Sequence, residues 1–273
     1  MRAWRVTVAA ADEDLVTAVL WEAGTAGIEV HPAPHARVHL VAYFPGDAAA
    51  PPLALLPPGA AVEPAEVPDV DWVARFREGF FPSHVGRFLI APSWDAPAVR
   101  SPDVLLVDPG RAFGTGTHET TRLCLRVLED LAGRRALGRT LDLGAGTALL
   151  AVAAVRLGAT PVVASDLDPE ATASARRHAR LNAAPVHVVR ADGGRSFLPG
   201  SFDLVLANLM TALLVDRASE IRSLLAPGGA LVLSGLLVDD LTRVGDAFAS
   251  SGTPLVRVDG EWAALVYEGA GAL

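Results

Sequence analysis

The stretch Leu141-Asp-Leu-Gly-Ala-Gly-Thr147 decides the fold. Its leucines end a strand, its two glycines allow a sharp turn, and residues 148–157 continue as an apolar helix. A strand, a glycine turn and a helix in that order open a ligand crevice at the switch point of a parallel α/β sheet. Gly144 and Gly146 leave room for a ligand close to the backbone. A dinucleotide fingerprint needs a third small residue at the sixth position from Gly144. That position holds Leu149, so NAD and a dehydrogenase are disfavoured.

The surrounding pattern agrees with this reading. Residues 140–143, 161–165, 186–189, 202–207 and 230–234 read as strands, alternating with helices over 118–131, 148–157, 169–181, 211–225 and 239–249. Strands over 255–258 and 262–267 are joined by Asp259-Gly260, a hairpin signal. The expected fold is α/β: a doubly wound, mostly parallel, seven-stranded sheet with an antiparallel pair at its end. Residues 88–91 and 104–107 read as strands ahead of it.

A small α/β unit precedes this. Residues 4–9, 27–30 and 37–44 read as strands, and residues 12–23 as a helix with Leu15, Val16, Val19 and Leu20 on one face. Residues 45–68 carry seven prolines and read as a linker or an irregular edge. Trp72, Phe76 and Phe80 give residues 71–80 helical spacing. The expected division is a small α/β domain over 1–62, a linker with a short helix over 63–86, and the large domain over 87–273.

Composition narrows the function. With 51% apolar residues, 273 residues can bury a sizeable core. A net charge of −8 argues against direct nucleic-acid binding and is compatible with a basic protein partner. The lone Cys124 leaves no intrachain disulfide and no thiolate cluster, so no metal is expected. No uncharged apolar run has membrane length, and the alternating start lacks a signal-peptide core, so the expected location is the cytoplasm.

The candidate site residues follow the strand ends. Asp166, 22 residues past Gly144, ends the next strand, where a carboxylate can accept both ribose hydroxyls of an adenosyl group. Asp168 reads as the N-cap of the following helix. Asp192 has two open readings, acceptor for an adenine amino group or member of a solvated Gly193-Gly194 turn. Asn208 follows the fourth strand, where its amide oxygen can hold a cofactor or a target amine; helix capping is the other reading. Upstream, Asp108-Pro-Gly-Arg-Ala-Phe-Gly-Thr-Gly-Thr-His-Glu-Thr-Thr121 offers a flexible, hydroxyl-rich backbone that can fold over a ligand, with Phe113 as an apolar lid. His118 there either orients a loop carbonyl or caps its helix, and Cys124 reads as core.

That segment, with Asp71-Trp72, Ala91-Pro-Ser-Trp94, Leu141 to Gly146, Ser165-Asp-Leu-Asp-Pro169, Ala207-Asn-Leu209 and Ser234-Gly-Leu236, resembles the PrmA family of ribosomal-protein methyltransferases. The resemblance implies a class I enzyme that transfers methyl groups from S-adenosylmethionine to amines of a large-subunit ribosomal protein; a monomer is expected. It implies that Thr121, Gly144, Asp166 and Asn208 bind the cofactor; Gly146 is expected to join them, and Asn208 is expected to be catalytic, positioning the amine. Ala148 replaces a glycine common in such turns, Glu119 stands where many members have proline, and the N-terminal unit is short with a proline-rich linker. All 23 basic residues are arginine, which fits a GC-rich genome or an enzyme that cannot methylate its own side chains. Another protein or a small-molecule amine as substrate, and a non-catalytic nucleotide-binding module, are the alternatives.

Overall fold

The computed structural model describes residues 2–25, 27–44, 55–66, 81–97, 101–108, 114, 116 and 118–270. The chain divides into two compact units, residues 1–75 and 76–273. The expected helix over 71–80, the Asp71-Trp72 motif and Phe113 lie outside the described residues.

In the first unit, β1 (Arg2–Ala9), α1 (Glu13–Glu22), β2 (Gly27–Ala33), β3 (Arg37–Phe44) and β4 (Ala61–Ala65) form a helix on an antiparallel sheet of order β2-β3-β1-β4. Alternation sends Val6, Val8, Leu40 and Phe44 to the face that meets Val16 and Leu20 of α1. β2 and β3 pair as a hairpin. The proline-rich stretch does pair, because β4 is an edge strand, where Pro64 costs no interior ladder bond. The boundary expected at residue 62 therefore falls inside a strand.

The second unit carries the expected seven-stranded sheet, ordered β10-β9-β8-β11-β12-β14-β13. Its strands are β8 (Thr140–Leu143), β9 (Val162–Asp166), β10 (Val186–Arg190), β11 (Phe202–Asn208), β12 (Leu225–Leu237), β13 (Leu255–Asp259) and β14 (Trp262–Ala270). All pairs from β10 to β12 are parallel, and β14 runs antiparallel to both β12 and β13. On one face, α2 (Glu119–Ala132), α3 (Leu149–Arg156) and α4 (Pro169–Leu181) contribute Leu125, Leu128, Val152 and Ala175 to an apolar layer. On the other face, α5 (Thr211–Asp216), α6 (Ala218–Ser223) and α7 (Leu241–Ala247) contribute Leu214, Ile221 and Val244 to a second.

The strands read ahead of the large sheet lie in a sheet of their own. Two details differ from expectation. A strand not read from the sequence, β5 (Ser83–Val85), inside the presumed linker, pairs with β6 (Phe88–Ala91), which pairs with β7 (Val104–Leu106) in that separate three-stranded sheet. The helix expected over 211–225 breaks at Arg217, which has φ −103° and ψ 15°, although no glycine or proline stands there. Among the described residues no helix is long and apolar enough to cross a membrane.

Candidate active site

The C-terminal ends of β8 to β12 and the start of β14 surround a cavity of about 490 Å³. Its wall runs from His118 and Trp262, past Asn208, Gly144, Gly146 and Asp166, to Asp192, Gly193 and Arg217. Four of the five residues expected to bind the cofactor thus line one space. The fifth, Thr121, faces a void of about 10 Å³ beneath it, which shares Gly144 and Asn208 as walls and also touches Asp142. That void has room for about one small polar group.

The glycine turn is built by local necessity. Gly144 sits at φ +70°, and a side chain there would run into Leu209. Its N–H and that of Ala145 donate to the Ser165 carbonyl at 2.8 and 3.0 Å, which seats the turn on the end of β9. Gly146, at φ +54°, donates its N–H to Asp166 Oδ2 at 2.9 Å. Asp168 N–H donates to Asp166 Oδ1 at 3.0 Å. Two backbone donors therefore fix the Asp166 carboxylate, and each oxygen keeps a lone pair for a further donor. Ala148, where a glycine is common, adopts φ +61°, which for a non-glycine residue costs about 1 kcal/mol. Leu149 is a core residue and does not enter the cavity.

Asn208 is held by a relay. Its Nδ2 donates to Thr120 Oγ1 at 3.3 Å, and Thr120 Oγ1 lies 2.9 Å from His118 Nδ1. His118 Nδ1 also accepts the Thr120 backbone N–H at 3.3 Å, which caps α2. Nδ1 is thus an acceptor, so the imidazole proton sits on Nε2 and the Thr120 hydroxyl points at the ring. Only one amide orientation suits this chain, and it turns Asn208 Oδ1 away from Thr120. Asn208 is not a helix cap, since Met210 occupies that position for α5. The His118 ring meets Trp262 edge-on, with centroids 4.7 Å apart.

Among the described residues, Asn208 Oδ1, Thr121 Oγ1 and Ser165 Oγ are buried without a hydrogen-bond partner. Leaving a buried polar atom unpaired costs about 1–3 kcal/mol. Three such atoms around one glycine turn leave acceptors that a polar partner would satisfy. Below them, Asp142 is fully buried and accepts the Ala151 N–H at 3.0 Å. Burial pushes its carboxyl up to about 7, with the Asp166 charge adding to the shift. Cys124 is core, its thiol pushed up to about 12 by burial.

At the opposite end, Asp192 pairs with Arg217 at 2.8 Å. Asp168 caps α4 by accepting the Glu170 N–H at 2.8 Å, as expected. Thr120, Asp142, Ser165, Trp262 and Arg217 were not singled out from the sequence. Adjacency to Thr121 and membership of the glycine motif could have flagged Thr120 and Asp142. No local signal marks Arg217. No group of three histidine, cysteine, aspartate or glutamate side chains suited to a metal occurs among the described residues.

Comparison with known proteins fits this geometry. The sequence matches the family model for ribosomal protein L11 methyltransferase (PrmA) over residues 35–269. Relatives named ribosomal protein L11 methyltransferase include one from Geobacter sulfurreducens, 45% identical over 74% of this chain and 68% of its own length. One from Geobacter metallireducens is 43% identical over 72% of this chain and 66% of its own length. The matched stretches thus span about two thirds of those proteins. A crystal structure of a ribosomal protein L11 methylase from Lactobacillus delbrueckii subsp. bulgaricus superposes with a TM-score of 0.61 at 28% identity, covering 68% of this chain and 97% of that one. A strand-end cavity ringed by Gly144, Asp166 and Asn208, within a match that covers most of the chain, places the protein in the ribosomal protein L11 methyltransferase (PrmA) family.

Proposed function

We propose that this chain is a cytoplasmic, monomeric protein N-methyltransferase. It transfers methyl groups from S-adenosylmethionine to lysine or N-terminal amines of the large-subunit ribosomal protein L11. The observation that carries this reading is the pair of buried, unpartnered acceptors Asn208 Oδ1 and Thr121 Oγ1 beside Gly144. Acceptors held there suit the amino groups of a methionine-like ligand and of a target side chain. Asp166 takes the ribose hydroxyls and Asp192 the adenine amino group.

S-adenosylmethionine supplies a sulfonium methyl that is already electrophilic. The chain must then present a neutral amine in line with it. A lysine amine has a reference pKa of about 10.4, and desolvation in a closed cavity lowers it. Asn208 Oδ1 accepts a hydrogen bond from the amine and so aims its lone pair, and the relay through Thr120 to His118 keeps that oxygen from rotating away. Holding the nucleophile at near-attack distance supplies much of the remaining acceleration. A dedicated general base is not required.

The first unit docks the substrate protein. Its sheet face opposite α1 presents Arg5, Glu29, His31, His39 and Tyr43, a polar surface suited to a charged protein. The test is incubation with radiolabelled S-adenosylmethionine and undermethylated ribosomal subunits. Label in the L11 band supports the assignment, label in another band redirects the substrate, and no label overturns it.

A further inference from the structure

The cavity crosses the strand ends in the order β11, β8, β9, β10. If Asp166 on β9 takes the ribose, as the proposed function requires, and Asn208 on β11 marks the reacting end, the base must lie at β10. That end is built by Asp192, Gly193 and Arg217. Arg217 reaches it from the break between α5 and α6, on the far side of the cavity from β10 in sequence.

The parts at this end lock one another. Arg217 Nη2 holds Asp192 Oδ1 at 2.8 Å, and Arg217 Nη1 lies 3.5 Å from Glu220 Oε1. Glu220, with a side chain only 14% exposed, also accepts the Gly194 N–H and, at 3.0 Å, Arg195 Nε. Gly193 has φ +63°, and the place of its missing Cβ is taken by the Arg217 guanidinium and the Glu220 carboxylate. A side chain at Gly193 would therefore displace the ends of Arg217 and Glu220. Without that cation, Asp192, whose side chain is 55% exposed, would rotate freely in solvent.

We infer that Arg217 sets which base the cavity accepts, by fixing the Asp192 carboxylate as an acceptor for an exocyclic amino group. A carboxylate can only accept, so it pairs with the 6-amino group of adenine and repels the 6-oxo group of hypoxanthine. One carboxylate oxygen is committed to the guanidinium, which leaves the other free to accept from a base. Arg217 acts through Asp192 and is a positioning residue, not a catalytic one.

The test is calorimetric titration of the full chain with S-adenosylhomocysteine and with S-inosylhomocysteine, for the wild type and for Arg217→Met, Arg217→Lys and Asp192→Asn. A site that hydrogen-bonds a specific group rejects an analogue lacking it strongly. The wild type should prefer the adenosyl ligand by about 100-fold or more. Arg217→Met should cut that preference by about tenfold, and Arg217→Lys should lie between, since a lysine keeps charge but not the planar fork. Asp192→Asn, whose amide can donate to the 6-oxo group, should bring the preference near unity. An adenosyl preference unchanged in a folded Arg217→Met, or in Asp192→Asn, would overturn the inference while leaving the methyltransferase reading intact. A wild type that binds neither ligand would overturn that reading itself. Should Arg217→Met fail to fold by circular dichroism, the other two variants decide.

Discussion

The two ends of the cavity are built on opposite plans. At the β8 and β11 end, Asn208 Oδ1 and Thr121 Oγ1 are buried with no partner, and Asp142 is buried with its carboxyl pushed up to about 7. At the β10 end, Asp192, Arg217, Glu220 and Arg195 are already joined in ion pairs, with Arg217 Nη1, 3.5 Å from Glu220, the one buried atom there that makes no hydrogen bond among the described residues. The first end holds polar groups that a ligand must complete, and the second satisfies its own charges before any ligand arrives. The proposed chemistry needs the first arrangement, because an acceptor spent on the protein could not steer an amine. Recognition of a fixed shape is served by the second, because its geometry costs nothing at the moment of binding.

The contrast can be tested from its strongest point downward. Asn208→Ala should keep the fold by circular dichroism and lose about 100-fold or more in turnover, as misplacement of a reacting group does. Retention of full turnover would remove Asn208 from the catalytic role. Asp142→Asn tests the buried carboxyl through pH. Its folded-state pKa lies above the unfolded value, so the native state holds a proton that the unfolded state releases. Stability is therefore highest in acid and is lost as pH rises from about 4 through about 7. The asparagine variant, which can still accept the Ala151 N–H, should gain on the wild type across that window, on the order of 4 kcal/mol. Urea midpoints at several pH values read this directly, and parallel curves would show that Asp142 titrates normally.

Thr121→Val separates binding from stability. The hydroxyl is buried and unpartnered, so its removal should leave the ligand-free melting temperature unchanged or slightly raised. The same change should weaken S-adenosylmethionine binding by about tenfold, the value of one hydrogen bond of about 1.4 kcal/mol. A variant that melts early yet binds normally would reverse the assignment. At the paired end, Arg195→Ala should change stability by less than about 0.5 kcal/mol. Its partner Glu220 keeps Arg217 and the Gly194 N–H, and the Arg195 side chain is 77% exposed. A larger loss in thermal unfolding would show that the ionic cluster is cooperative.

Local signals carried most of the large sheet. The glycine turn, the Pro169 helix start with its Asp168 cap, and the Asp259-Gly260 hairpin each announce themselves within a few residues, and each stands where it was expected. What local pattern does not encode is pairing across distance. Val62 opposes Val6, and Leu89 opposes Val104, so the β4 edge and the separate three-stranded sheet could not be inferred from spacing alone. The break at Arg217 escaped for a similar reason. Residues 211–225 are locally helical, and the partner of Arg217, Asp192, is set by tertiary geometry. Within the cavity, the places of Gly144, Asp166 and Asn208 were legible because strand ends are. The hydroxyl relay through Thr120 was not, because it joins the start of α2 to the end of β11.

The cavity also lies where the two apolar layers of the second unit part. Asp168 and Ala171 reach it from the α4 side, and Leu213 and Arg217 from the opposite face of the sheet. A ligand seated there touches both layers and acts as a clasp between them. Unfolding either layer then requires giving up the ligand, so the unit should melt as one body when loaded. Its melting temperature should climb with the logarithm of ligand concentration, by the equivalent of about 2.7 kcal/mol at a hundredfold excess over Kd. The thermal stability of this protein would then report the level of methyl donor around it.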